Sequence, residues 1–227
     1  MKPTALITGA SRGIGLAIAR ELSATHRILV GGRDARAVAR VVEELPDAAP
    51  FVADLADEAA TASAAAGVDR LDVLVHSAGV LGSGRIDEVG RSVWREVFET
   101  NVFAVADLTR LLLPALEAAG GLVVAINSGA GFTSSPGGGV YAGSKFALRA
   151  LTDALREELR GRVRVCSIHP GRTDTDMQRQ LQVEAGNANY DGSRYVSPES
   201  VAAAVRLAVD TPVNATIESL SIRPTTI

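Results

Sequence analysis

The chain has 227 residues, of which 47% are hydrophobic and 22% charged, with a formal net charge of −3. That length allows one large domain or two small ones whose core removes about three quarters of the unfolded surface from water, and the composition is that of a globular protein rather than a disordered or membrane-spanning chain. No block of Lys or Arg builds the positive face that a phosphate backbone requires, so nucleic acid is excluded as a partner.

The start, MKPTALITGA, enters an apolar run at once and leaves no space for a basic region, a hydrophobic stretch and a small-residue cleavage site. A cytoplasmic, non-secreted protein is expected. No window approaches about 18 uninterrupted apolar residues, so no membrane partner is expected either. Short β-branched runs then alternate with helical patterns: TALIT, 13 to 24, RILVG, 35 to 45, PFVAD, 56 to 66, LDVLVH, 92 to 118, LVVAIN, 139 to 160 and VRVCSI, with a further strand at IESLSI. Each run is continuously apolar, as strands buried on both faces are. No linker divides them, which predicts one domain over residues 1–227. The expected fold is α/β, a Rossmann-type doubly wound parallel sheet of about seven strands with helices on both faces. Ligands of such sheets bind beyond the carboxyl ends of the strands. The single cysteine, Cys166, lies in an apolar run and reads as a buried thiol in a reducing compartment.

After the first strand comes TGASRGIG, with Gly9, Gly13 and Gly15 opening the first helix. Glycines there let the backbone N–H groups approach a pyrophosphate at a helix N-terminus. The second strand ends in Gly31 and Gly32, followed by Arg33 and Asp34. Arg33, with Arg12 in the glycine loop, offers planar charged forks for the 2′-phosphate of NADP(H). Asp34 stands where a NAD-type carboxylate is sought, and it also reads as the N-cap of the next helix. Asp54, after the third strand, is placed either to meet an adenine amino group or to cap a helix. Tyr141 precedes Lys145 by four residues in VYAGSKF, which puts both on one helix face.

TGASRGIG, DL at 54–55, HSAG at 76–79, Asn101, Ser128, YAGSK and HPGRTDTDM at 169–177 occur in one order along the chain. Together they resemble the short-chain dehydrogenase/reductase family from Thr4 to about Pro224, and the final ESLSIRPT is similar to NADP-dependent members such as the 3-hydroxy acid dehydrogenases. The resemblance implies catalytic roles for Asn101, Ser128, Tyr141 and Lys145. Tyr141 would give a proton to a carbonyl oxygen as hydride reaches its carbon. Lys145 would lower the tyrosine pKa and bind ribose, Ser128 would stabilise the developing alkoxide, and Asn101 would support a water relay to the lysine. Cofactor contacts are implied at Gly9, Ser11, Arg12, Gly13, Ile14, Gly15, Arg33, Asp54, Leu55, Ala78, Gly79, Asn101, Tyr141, Lys145, Pro170, Gly171, Thr173 and Thr175.

HSAG departs from the usual NNAG of the family, which puts in doubt the strand-bracing hydrogen bonds of the second asparagine, here Ser77. His76 and His169 read as hydrogen-bonded structural histidines and His26 as a surface one. Residues 176–196 read as a lid with few structural signals; Met177 and Leu181 from it, with Phe132 from the Gly-rich loop, would give the pocket an apolar wall, and Gln178 and Arg179 would meet polar groups. Helix 139–160 carries an apolar excess, with Phe146, Leu148, Leu151 and Leu155, and the resemblance implies a homodimer or homotetramer through that helix and 92–118. The expected activity is an NADP(H)-dependent carbonyl reductase or alcohol dehydrogenase acting on a small molecule. Two alternatives remain open: a non-catalytic NADP-binding sensor, and a NAD-linked dehydrogenase using Asp34.

Overall fold

Seven parallel strands form one sheet in the order β3-β2-β1-β4-β5-β6-β7: β1 Thr4–Ile7, β2 Arg27–Gly32, β3 Ala48–Val52, β4 Val73–His76, β5 Leu122–Ile126, β6 Arg164–Pro170 and β7 Ser219–Ile222. The structure, a computed structural model, describes residues 2–184, 186–187 and 189–225. The six apolar runs of the sequence and the further stretch IESLSI all hold strands, and those in the middle of the sheet are apolar at every position because both of their faces are covered. The central strands β4 and β5 are buried throughout.

Alternate side chains of these strands divide the core into two layers. Ala5, Ile7, Val73, Val75, Val124 and Ile126 point to one face, where Ile18, Leu22, Val201 and Val205 cover them. Leu6, Leu74, Val123 and Val165 point to the other, under Leu108, Leu112 and Leu116. The edge strand β3 carries Pro50, whose missing N–H costs nothing on an unpaired edge.

The helices are α1 Gly13–Ser23, α2 Ala35–Glu44, α3 Glu58–Ala65, α4 Arg91–Phe98, α5 Ala104–Ala119, α6 Gly139–Glu158, α7 Asp176–Glu184 and α8 Pro198–Asp210. Three features differ from the sequence reading. The single helix expected over 92–118 is interrupted by a π-helical turn, Glu99–Phe103, whose wider winding separates α4 from α5. The stretch expected to be a lid with few structural signals contains α7, although Ala185 and Ala188 of 176–196 lie outside the described residues. The alternation read from the sequence passes over α8, which Ser197 caps by accepting from the Ser200 N–H at 3.1 Å and which Pro198 opens. Its residues Val201, Ala202, Val205 and Ala208 are buried in the layer that also holds Ile18 and Leu22 of α1. Among the described residues, no helix is long and apolar enough to cross a membrane.

Candidate active site and cofactor cleft

β1 has β2 on one side and β4 on the other, so the crossovers leave in opposite directions and open a crevice at the strand ends. A cleft of about 480 Å³ lies there. The loop after β1 turns through Gly9 at φ +65°, a left-handed conformation that glycine adopts without strain. A Cβ on Gly15 would stand 2.4 Å from the Gly9 carbonyl oxygen, so the start of α1 packs on the loop only as glycine. Gly9, Ser11, Arg12, Gly13, Ile14 and Gly15 all line the cleft, and so do Arg33, Asp54, Leu55, Ala78, Gly79, Tyr141, Lys145 and Thr175.

The adenosine end expected from the sequence carries two arginines. Arg12 and Arg33 are exposed, and neither guanidinium has a hydrogen-bond or ion-pair partner among the described residues. Asp34 is occupied otherwise: its carboxylate accepts from the Arg36 and Ala37 N–H groups at 2.9 and 3.1 Å, which makes it the N-cap of α2. Asp54 does not cap α3, since Asp57 does. It accepts from the Ala56 N–H at 3.1 Å in a local turn and remains on the cleft wall.

Thr8, which the sequence reading did not single out, resolves the doubt raised by Ser77. Its hydroxyl oxygen accepts from the Ser77 and Ala78 N–H groups at 3.0 and 3.1 Å and donates to the Val75 carbonyl at 3.4 Å. The brace between the ends of β1 and β4 therefore comes from the β1 side. The only signal for it was a polar residue at the end of an apolar strand.

Tyr141 and Lys145 share one face of α6, with the ammonium 5.7 Å from the phenol ring centroid. Lys145 is buried and donates to the Ile126 carbonyl at 3.1 Å. Burial pushes its pKa down to about 8. Burial also raises the Tyr141 pKa, against a lesser lowering from its hydrogen bond with the Ser128 side chain. The expectation that Lys145 lowers the tyrosine is thus corrected for this structure: desolvation dominates, and the ammonium is turned to a backbone carbonyl. Ser128 lies behind the cleft lining, where its oxygen also accepts from the Ala130 N–H at 3.1 Å and starts a one-turn 3-10 helix, Gly129–Gly131.

Asn101 sits in the π-helical turn and is buried behind the cleft wall rather than on it. Its amide oxygen accepts from the Val80 N–H at 2.9 Å. Its nitrogen donates to the Val80 carbonyl and to the Ser144 hydroxyl, both at 3.0 Å. Ser144 in turn donates to the Tyr141 carbonyl at 2.7 Å. Both amide hydrogens are thereby used, and the side chain ties the loop after β4 to the helix turn that carries Tyr141.

Pro170, Gly171 and Thr173 do not line the cleft, a second correction. The Gly171 N–H donates to the Ile222 carbonyl at 2.7 Å, and the buried Thr173 donates to the Gly171 carbonyl at 3.1 Å, so these residues form the turn that delivers Thr175. The Thr175 hydroxyl accepts from the Gln178 N–H at 3.3 Å, and its methyl lies 3.5 Å from where a Cβ on Gly13 would stand. The helix α7 therefore begins over the glycine loop. Met177 and Gln180 line the cleft, whereas Leu181 does not and Gln178 is buried. Arg179 pairs with Asp174 at 3.2 Å, and Phe132 packs on the His169 ring at 4.4 Å, outside the lining.

The histidines are structural. His76 is buried with Nε2 2.8 Å from the Thr109 hydroxyl, and burial lowers its pKa to about 4. His169 Nδ1 donates to the Ser128 carbonyl at 3.2 Å. His26 is buried rather than exposed, with Nδ1 2.8 Å from the Thr25 hydroxyl, because α8 covers the end of α1 and brings Arg206 to Thr25. Cys166 is buried, and its thiol is pushed up to about 12.

A glycine loop at the switch point of a parallel sheet defines the class, a Rossmann-type dinucleotide-binding protein. The family model for short chain dehydrogenases matches residues 3–185, and the chain belongs to that family. It is 34% identical to the serine 3-dehydrogenase of Agrobacterium fabrum, with 99% of this chain and 94% of that protein covered. Among solved structures it is similar to an alcohol dehydrogenase of Thermococcus sibiricus complexed with 5-hydroxy-NADP, at 27% identity and a TM-score of 0.89, covering 99% of this chain and 97% of the other. It is likewise similar to the closed form of a serine dehydrogenase complexed with NADP+, at 27% identity and a TM-score of 0.89, covering 97% and 94%.

Proposed function

We propose that the protein is an NADP(H)-dependent oxidoreductase that moves a hydride between the nicotinamide and a small carbonyl or alcohol substrate, with Tyr141 as the proton donor. The observation that carries this reading is that Tyr141 and Lys145, one helical turn apart on α6, both line the cleft into which the glycine loop after β1 opens. The residues fit the cofactor. Gly9 and Gly15 let the loop after β1 pack against Ala78 and against itself, where a Cβ would clash with backbone, so the start of α1 reaches the cleft, and the unpaired Arg12 and Arg33 suit a 2′-phosphate. Relatives named for NADP complexes support the same choice, and the use of Asp34 as a helix cap weakens the NAD-linked alternative.

The bound cofactor would supply the hydride. Tyr141 would hold its proton until a carbonyl oxygen arrives, since burial raises its pKa and keeps the phenol neutral near pH 7. Ser128 would orient that oxygen by a hydrogen bond beside the phenol. Lys145, with a pKa of about 8, is mostly protonated at pH 7 and places positive charge where the phenolate would form. Asn101 and Ser144 would keep the backbone of Tyr141 in register with the loop after β4. Residues 176–196 would act as the substrate lid, with Met177 and Gln180 over the cleft.

NADPH oxidation against a panel of ketones, aldehydes, 3-oxo esters and quinones tests the reading. Tyr141→Phe should lose on the order of 100-fold or more in kcat with NADPH affinity retained. Turnover that survives in this variant would overturn the assignment of Tyr141. We further propose a single domain over residues 1–227, a cytoplasmic setting, which the buried free thiol of Cys166 supports, and a homo-oligomer. For the last, Phe103 and Phe146 are 54% and 44% exposed, a large apolar exposure for two aromatic side chains.

A further inference from the structure

Three buried side-chain atoms have no hydrogen-bond partner among the described residues: Asn127 Nδ2, Arg164 Nε and Ser167 Oγ. Buried donors without an acceptor are costly and rare, and each asks for an explanation. Of the three residues only Asn127 lines the cleft, which Ile126, Tyr141 and Lys145 also line. It follows the last residue of β5, at the strand end where ligands of such sheets collect.

The orientation of its amide is fixed at the oxygen. The oxygen accepts from the Ser128 N–H at 2.9 Å, so the donor face is the other one. The same oxygen is 2.9 Å from where a Cβ on Gly131 would stand, which shows how closely the 3-10 turn covers it. Beside it, Lys145 adds an ammonium with three hydrogens, of which the Ile126 carbonyl takes one. This end of the cleft therefore offers donors and calls for a ligand rich in acceptor oxygens.

We propose that Asn127 is a further cofactor-binding residue, whose amide nitrogen donates to an acceptor oxygen on the nicotinamide half of NADP(H). The phosphates and adenosine belong to the glycine loop and the two arginines, so the ribose hydroxyls and carboxamide of the other half are the oxygens that reach Lys145 and Tyr141. The inference rests on the cofactor reading above and assigns it a residue that the sequence motifs do not include.

The test compares two ligands on the intact protein. NADPH binding is followed by fluorescence, and adenosine 2′,5′-bisphosphate, which lacks the nicotinamide half, by calorimetry. Asn127→Asp keeps an acceptor for the Ser128 N–H and removes the donor; Asn127→Ala removes the whole amide and decides the matter if the aspartate variant does not fold. The expected result is NADPH binding weakened about tenfold, the effect of one lost hydrogen bond, with the bisphosphate bound as in the wild type. Unchanged NADPH affinity, or equal weakening of both ligands, would overturn the proposal while leaving the cofactor reading intact. Failure of the wild type to bind NADPH at all would defeat that reading as well.

Discussion

Arg33 is the residue on which the choice of cofactor turns. It follows β2 at the cleft, exposed and without an ion-pair partner among the described residues, while the neighbouring carboxylate of Asp34 is spent on the N-terminus of α2. A charge-assisted hydrogen bond to a phosphate contributes roughly 1.5–3 kcal/mol, so Arg33→Ala should weaken NADPH by about 10- to 100-fold and leave NADH nearly unchanged. Equal weakening of the two in parallel titrations would remove the 2′-phosphate argument. Motifs made Arg33, Tyr141 and Lys145 legible because their spacing along the chain is the spacing that matters. The direction of the Tyr141 shift was not legible. It depends on how deeply α6 buries the phenol and on the Ile126 carbonyl, 19 residues away, that draws the ammonium.

At the scale of elements, the strands were the easiest to read and α8 was missed. Its signals were local all the same: Ser197, Pro198 and Glu199 ahead of a small apolar stripe. Alanine-rich helices offer little hydrophobic contrast, and what fixes α8 is the layer it shares with α1. Ser197→Ala should cost about 1 kcal/mol through the lost cap, seen as a fall of roughly 2–4 °C in Tm for a chain of this size. An unchanged Tm would mean that packing on α1 alone holds the helix. The π-helical turn at Glu99–Phe103 belongs to the same scale. Nothing in ETNVF marks a wider turn in place of an ordinary one, and the turn brings Asn101 against Val80 and Ser144, groups distant in sequence.

For the whole molecule, the buried His76 ties stability to pH. Its folded pKa of about 4 lies below the ordinary 6.5, so the unfolded chain binds the proton more tightly. Stability is complete above pH 6.5 and falls as the pH drops from 6.5 toward 4, by about 3 kcal/mol at full effect. Urea midpoints measured across that window should fall less steeply for His76→Gln than for the wild type. Matching slopes would show that His76 is not the group responsible. Assembly belongs to this scale too. Phe146→Glu should shift an oligomeric wild type toward monomer in size-exclusion chromatography with light scattering, and a wild type that elutes as a monomer would end the proposal that α6 is an interface.

The sequence by itself determined the strand set, the glycine loop and the helix that carries Tyr141 and Lys145, because each is written in residues adjacent in the chain or one helical turn apart. Only the tertiary structure decided that Thr8 braces the end of β4, that Asn101 spends its amide on Val80 and Ser144, that His26 is covered, that Pro170, Gly171 and Thr173 stand back from the cleft, and that Asn127 is left with an unmet donor. Those facts depend on groups far apart in sequence meeting in a desolvated space, where the cost of an unpaired polar atom is set by whatever the fold brings beside it.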